Sequence, residues 1–317
     1  MPYPVIGSSK QQTVCVAIPT YRREQVLVDT IRQVLAQDPP ADEVIVVDQT
    51  ADHEAPTSQA LTAWQREGRI RWIRHSPPGL PGARNRALAE SQSDVVVFID
   101  DDVILSPRFV EAHRRSYDDP NVNLVAGQVL NRDRQVYTGP VKEHDFKFPR
   151  NYGQRRWIKG LFGGNHSVRR RLALDVGGYD ERYLQNAYRE ETDFAVRATR
   201  QLKCMVLFEP KASLVHLLEP VGGCRGWGAL RMLAIGWATG DYYFALKNLS
   251  PTRAARHIAE ESFHHVINRR SARHPWTIPM LLIAEVSSLL CAVVFALRKR
   301  NLIPSHTLDG EVAGQEP

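Results

Sequence analysis

Three carboxylates stand in a row at Asp100, Asp101 and Asp102, directly after the apolar run Val95-Val96-Val97-Phe98-Ile99. Adjacent charges of this kind repel one another and are costly at a buried strand end unless a cation or strong donors compensate them. On an extended chain Asp100 and Asp102 project to the same side, and such a pair of hard oxygen ligands suits a divalent ion carrying a diphosphate. The triplet also fits a solvated acidic turn before a helix cap, and the three residues alone leave both readings open. A second acidic group, Glu190, Glu191 and Asp193, opens a stretch in which Phe194, Ala198 and Leu202 recur at helical spacing. First-turn acids complement a helix dipole. Three exceed that need, and if the turn faces the same crevice one of them is suited to act as general base toward an acceptor hydroxyl. Gly160-Leu161-Phe162-Gly163-Gly164 permits close approach of a ligand to Asn165 and His166. His216, which ends Ala212-Ser213-Leu214-Val215, is either structural or a third metal ligand.

The elements needed to position these groups alternate in type. Val95 to Ile99 reads as a strand buried on both faces, as in a mainly parallel sheet. Thr13 to Ile18 is a similar strand ended by Pro19, and Arg23 to Gln37 follows with apolar residues at helical spacing, stopped by Asp38-Pro39-Pro40. A strand Glu43 to Val47 ending in Asp48, a helix from about Thr57 to Arg66, a short strand Ile70 to Ile73 and a helix from about Gly82 to Glu90 complete the run. This order predicts a parallel sheet with helical crossovers. It places Pro19-Thr20-Tyr21, Asp48 and the triplet at the carboxyl ends of three strands, where open α/β sheets bind ligands. Asp48 suits a base or ribose, or a plain turn; Arg84 suits a nucleotide and Asn85 a backbone group. Ser106-Pro107 signals a helix start, a strand is expected near Asn123 to Leu130, and Asn131 to Arg156 is a long aperiodic connection. Another strand is expected at about Met205 to Phe208.

With 317 residues, 43% apolar and 24% charged, the chain has ample material for a core. The net charge of +6 is carried by scattered arginines, which suits an anionic ligand or membrane surface and gives no argument for nucleic acid. Cys15, Cys204, Cys224 and Cys291 are too dispersed for a zinc site or a disulfide framework. The first residues lack a secretory pattern, so a cytoplasmic catalytic portion is expected. No Gly-x-Gly-x-x-Gly or P-loop pattern follows a strand, which disfavours a dehydrogenase or P-loop enzyme. Composition shifts at Gly222. Gly226 to Leu246 reads as an ordinary packing helix or as an amphipathic helix covering the acceptor side, and Arg253 to Arg273 as a basic helix with His257, His264 and His265 on a solvated face. Trp276 to Leu297 is long and apolar enough to span a bilayer, although Glu285 and basic residues on both flanks leave a helix lying in the interface as competitor. The expected organisation is a tail at 1–12, a catalytic domain at 13–221, a helical extension at 222–304 holding the candidate membrane segment 276–297, and a disordered tail at 305–317.

Assembled in order, several blocks resemble glycosyltransferase family 2, the inverting enzymes of the GT-A fold. They are Val-Ala-Ile-Pro-Thr-Tyr-Arg at 16–22, Val-Ile-Val-Val-Asp at 44–48, Gly-Ala-Arg-Asn at 82–85, Phe-Ile-Asp-Asp-Asp at 98–102, Gly-Gly-Tyr-Asp-Glu at 177–181 and Glu-Glu-Thr-Asp-Phe-Ala-Val-Arg at 190–197. The resemblance implies a nucleotide-diphosphate-sugar donor and Mg²⁺ or Mn²⁺ on Asp100 and Asp102, with His216 where related enzymes place a metal or diphosphate ligand. Pro19, Thr20, Tyr21, Asp48 and Arg84 fall where the family contacts the nucleotide, and Arg23, Asp100 and Asp101 are counted with them. Gly164, Asn165 and Glu190 are assigned to the sugar or acceptor. The family's base is usually the Asp of a Glu-Asp pair; here Glu191 holds that place, with Asp193 as the alternative. The implied acceptor is a glycan, a lipid-linked or a small molecule, handled at the inner face of the cell membrane. A sugar nucleotidyltransferase is a weaker reading because the Pro19 to Arg23 turn lacks glycines, and a silent sugar-nucleotide-binding scaffold is weaker because both acidic groups are intact.

Overall fold

A computed structural model describes residues 11–141, 148–183, 187–223 and 235–298. Most of the expected N-terminal tail, Cys224 and the start of the Gly226 to Leu246 helix, and the C-terminal tail with Lys299 and Arg300 lie outside the described residues. The first half follows the expected alternation. Strands β1 (Val14–Thr20), β2 (Glu43–Asp48), β3 (Arg71–Arg74) and β4 (Val95–Ile99) are joined through helices α1 (Gln25–Leu35), α2 (Ala55–Arg66) and α3 (Leu80–Glu90). They pair in parallel in the order β3-β2-β1-β4. All five residues of β4 are buried, as their lack of polar alternation requires.

The second half is mixed rather than parallel. It holds β5 (Val103–Leu105), α4 (Phe109–Ser116), β6 (Leu124–Leu130), β7 (Arg156–Ile158), β8 (Asn165–Arg169), α5 (Arg170–Asp175), α6 (Glu190–Leu202) and β9 (Val206–His216). β8 is antiparallel to both β4 and β6, whereas β6 and β9 are parallel. Asn165 and His166, expected to meet a ligand beside the small residues before them, therefore lie in a central strand. β9 continues to His216 past a register shift against β6. Its end pairs antiparallel with β5, Val103 opposite His216. Only three residues separate β4 from β5, yet β8, β6 and β9 lie between them in the sheet order. The sheet thus brings the carboxyl end of β9 back beside the carboxyl end of β4.

Helices α7 (Ile235–Asn248), α8 (Pro251–Val266), α9 (Arg269–Arg273) and, after a 3₁₀ turn at Pro275–Thr277, α10 (Ile278–Leu297) follow. A second apolar cluster joins Tyr183, Ala187 and Val196, which precede or lie in α6, to Tyr242, Tyr243, Phe244 and Ala292. His257 and His265 are not on a solvated face. α8 packs on α7 and α10, so His257 meets Asp241 at 2.8 Å and His265 meets Glu285 at 3.2 Å, while His264 remains exposed.

Asn85 of α3 clips the turn after α5. Its side chain donates to the Tyr179 carbonyl at 2.9 Å and accepts from the Tyr179 amide at 2.7 Å. Asn85→Ala leaves these buried backbone groups unpaired and is predicted to lower unfolding free energy by about 1–3 kcal/mol, measured by chemical denaturation.

Candidate active site

The acidic triplet is divided by alternation along the chain. Asp101 turns into the protein, where its carboxylate accepts from the Thr20 hydroxyl at 2.7 Å and from Arg23 Nε at 3.0 Å. Asp102 accepts from Arg23 at 3.0 Å and from the Glu219 amide at 2.9 Å through Oδ2. Its Oδ1 is buried without a hydrogen bond and lies 3.3 Å from His216 Nε2. His216 Nε2 also reaches Asp100 Oδ2 at 3.0 Å, while its Nδ1 accepts from the Leu218 amide. Ligand atoms of Asp100, Asp102 and His216 all fall within 4.8 Å of one another, one of two such groups among the described residues. Asp100, the most exposed of the triplet, opens toward the surface.

Burial raises the Asp101 carboxyl to about 6 against the pull of Arg23, with the charge of Asp102 adding to the rise. Burial raises Asp102 as well, opposed by His216 and Arg23. Arg23, expected at the nucleotide, is instead 4% exposed and lies beneath the triplet, with further bonds to the Glu219 and Val221 carbonyls. Thr30 of α1 holds the Asp101 carbonyl at 3.0 Å, and Gln33 holds the backbone of Val103 and Leu105. Sequence reasoning passed over Thr30 and Gln33; their signal is polarity on the sheet-facing side of an amphipathic helix.

Glu191 approaches from the start of α6. A Cβ on Gly163 would lie 3.8 Å from the Glu191 carboxylate, and one on Gly164 would lie 2.4 Å from Asp100 Oδ2. These adjacent glycines therefore leave room for the base candidate and the metal candidate at neighbouring points of one backbone turn. Burial raises the Glu191 carboxyl above the usual range, opposed by its own backbone amide, Arg84 and Arg189, and the charge of Asp100 adds to the rise. Arg189, in the left-handed region at φ 73°, leads into the helix and pairs with Asp241 at 2.7 Å.

The neighbouring acids have other work. Asp193 is fully buried between Arg197, Lys247 and Asn248, and Lys247 also bonds Asp180 at 2.6 Å. Arg182 and Lys247 hold the Asp180 carboxyl well below its usual range despite burial. Glu190 is buried against Arg84, whose guanidinium also donates to the Gly163 carbonyl at 2.7 Å and lies over the Phe98 and Tyr179 rings. Asn165 is fully buried: it donates to the Gln128 and Ala212 carbonyls and meets His113 at 3.0 Å. Its place in a central strand, opposite Ile99, takes its side chain into the core. His166 is equally internal, between the Phe162 carbonyl and the Tyr179 hydroxyl, and burial lowers its pKa to about 3.

The ends of β1, β2 and β3 border a cavity of about 320 Å³ lined by Tyr21, Asp48, Thr50, Arg74, His75 and Pro78. Asp48 is nearly saturated there, with Trp72, Arg74 and His53 on one oxygen and the Thr50 amide on the other. Pro19 and Thr20 are buried behind it.

This sheet with its flanking helices has the GT-A fold. The chain belongs to glycosyl transferase family 2, whose profile matches residues 15–177. The matched residues include the triplet and stop short of Glu191 and His216. Hyaluronan synthase of Streptococcus pyogenes serotype M3 is 26% identical over 166 residues, covering 50% of this chain and 39% of the synthase. The chain thus spans about two fifths of the length of this curated relative. Among solved structures it is similar to the mannosyltransferase PcManGT of Pyrobaculum calidifontis in complex with GDP-Man and Mn²⁺, with a TM-score of 0.55, 18% identity, and coverage of 95% of this chain and 84% of that one. It is also similar to residues 1–349 of S. aureus TarS in complex with UDP-GlcNAc, with a TM-score of 0.59, 16% identity, and coverage of 87% and 81%. At these identities the likeness shows the fold.

Gly164→Ala forces Asp100 aside while leaving an ordinary backbone. It is predicted to lower kcat/KM by about 10²-fold, the size of effect expected when a site group is misplaced by an ångström, with a melting temperature close to that of the parent. Steady-state kinetics and thermal melts check it.

Proposed function

We propose that this glycosyltransferase moves a sugar from a nucleotide-diphosphate-sugar to an acceptor hydroxyl with inversion, that it depends on Mg²⁺ or Mn²⁺, and that Glu191 is the base. The observation that carries the reading is the placement of Asp100 and Glu191 against the adjacent glycines Gly164 and Gly163. Asp100, Asp102 and His216 fit a divalent ion: they offer two carboxylates and an imidazole, and the unbonded buried Oδ1 of Asp102 lacks the partner a cation would supply. When bound there, the ion would neutralise charge on the departing diphosphate as a Lewis acid.

The remaining steps belong to the chain's own groups. Glu191 takes the proton of the acceptor hydroxyl. The acceptor oxygen then bonds to the anomeric carbon on the face opposite the leaving group, the bond from that carbon to the diphosphate oxygen breaks, and the nucleoside diphosphate departs. Asp193, the alternative base, has its carboxylate oxygens on Lys247, Arg197 and Asn248, so Glu191 is preferred. Tyr21 and the cavity beside Asp48 and Arg74 receive the nucleotide, with Asp48 positioning Arg74 and Trp72. Pro19, Thr20, Arg23 and Asp101 form the floor beneath it. Gly164 gives passage to the sugar, while Arg84 and Glu190 hold the wall behind Glu191.

In this reading 13–221 is the catalytic domain and 222–304 an extension that rests on the inner face of the cell membrane, within reach of a glycan or lipid-linked acceptor. The helix over Pro275–Leu297 is long and apolar enough to anchor it.

Glu191→Gln is expected to keep donor affinity within about twofold and to lose turnover by about 10²–10⁴-fold; near-normal turnover removes Glu191 as base. Because burial raises this carboxyl, the acid limb of kcat/KM should lie above the ordinary glutamate value, with activity lost as pH falls through it, and the residual activity of Glu191→Gln should lack that limb. Asp102→Ala should abolish the response to Mn²⁺; undiminished metal-dependent turnover contradicts the metal assignment.

A further inference from the structure

The apolar helix α10 is held by one side. Ala284, Ser288 and Ala292 recur at four-residue spacing and are buried with Glu285, and α10 packs along α7. Small side chains on this stripe let the helices approach closely. Glu285, an unexpected residue in an apolar helix, accepts from the Tyr242 hydroxyl of α7 and pairs with His265 of α8. At the far end, Arg182 donates to the carbonyls of Phe295 and Arg298 at 2.8 and 2.7 Å, supplying partners that a helix C-terminus otherwise lacks. Arg182 also pairs with Asp180, which shares Lys247 with Asp193 of α6. The middle and the end of α10 are thus fastened to polar and charged groups of one folded unit.

The opposite side shows no such partners among the described residues. Ile283, Val286, Leu290 and Leu297 are 68%, 59%, 62% and 82% exposed, and Trp276, just before the helix, is 72% exposed. These positions follow helical spacing, so they make a continuous apolar stripe along a rod of about 30 Å. Residues 251–298 contain six arginines against three glutamates. Of these, Arg253, Arg256, Arg269, Arg273 and Arg298 are exposed.

From this we infer that α10 lies flat in the surface of a bilayer containing anionic phospholipid, its exposed stripe in the acyl boundary, and does not cross it. A spanning helix would carry the Glu285–His265 pair and the Arg182–Asp180–Lys247 group into or across hydrocarbon, where each charge costs several kcal/mol. A helix with one apolar face, a flanking tryptophan and nearby basic residues needs no such transfer to bind an anionic interface. The inference deepens the membrane-surface part of the proposed function and is independent of the sugar chemistry.

Depth measurements on the full chain decide it. In a background with the four native cysteines replaced by serine, a fluorophore is attached at Ile283→Cys, Leu290→Cys or Leu297→Cys, and quenching is read in phosphatidylcholine/phosphatidylglycerol vesicles bearing quenchers at graded depths. A flat helix predicts the same shallow depth at all three positions. A spanning helix predicts depths that change by about 1.5 Å per residue along the helix, and this result overturns the inference. Absence of quenching at every position, or a stable dimer that buries the labels without lipid, also overturns it. In a parallel vesicle flotation, Leu290→Asp should lose binding at an unchanged melting temperature, and binding should weaken at least about tenfold when phosphatidylglycerol is omitted. Donor hydrolysis assayed in detergent reports on the catalytic reading separately, so failure of either is distinguishable.

Discussion

The contact between the Arg23 guanidinium and the carboxylates of Asp101 and Asp102 governs the arrangement around it. One cation, nearly excluded from water, offsets two of three consecutive negative charges at the end of a buried strand. Because Arg23 sits beneath the chain, it draws Asp101 inward and leaves Asp100 toward the opening. Asp102 keeps one oxygen on Arg23 and turns the other toward His216. The guanidinium also binds the carbonyls of Glu219 and Val221, so the segment after β9 closes over the same point. Gly222 completes that closure: it has φ 85°, and a Cβ there would meet the Arg22 carbonyl oxygen. A β-carbon would hold the two segments apart.

A second buried charge system does for the base helix what Arg23 does for the triplet. Asp180, Lys247 and Asp193 tie the turn after α5, helix α6 and helix α7 into one body. Arg189 adds a connection from the residue before α6 to Asp241, which in turn binds His257. Asp241, His257 and Glu261 form the other cluster of metal-binding residue types among the described residues, and Arg189 already supplies the positive charge there. Such buried networks are costly to leave half-paired. Their completeness fixes where Glu191 stands relative to Asp100.

The parallel half of the sheet was legible because each strand is an uninterrupted apolar run bounded by a helix of clear period, and the strand-end positions of Thr20, Asp48 and Asp100 follow from that alone. The spacing of Asp100 and Asp102 and the strand-end place of His216 are also visible in the sequence. The roles of Asn165, His166 and Arg23 were not legible. Asn165 and His166 are polar residues in a central strand; the side chains that pair with Asn165 and the backbone it bonds, His113, Gln128 and Ala212, are 37 to 52 residues away, and His166 is held by a backbone carbonyl and the Tyr179 hydroxyl, so their residue types do not mark them as internal. Arg23 looks like an ordinary anion-binding residue because the buried carboxylates it serves are 78 and 79 residues distant. The solvated placement given to His257 and His265 failed for a similar reason: neither the Asp241 nor the Glu285 partner is visible in the period of α8.

The proposed mechanism places the catalytic ion on Asp100, Asp102 and His216, beside Glu191. Its most direct test is anomalous diffraction from crystals of the full chain soaked with Mn²⁺ and a nucleoside diphosphate. The expected result is a manganese peak bonded to at least one of the Asp100 and Asp102 carboxylates and to the diphosphate, with His216 in or next to the coordination sphere. Diphosphate bound without manganese at these residues, or manganese held only by Asp241, His257 and Glu261, would contradict it.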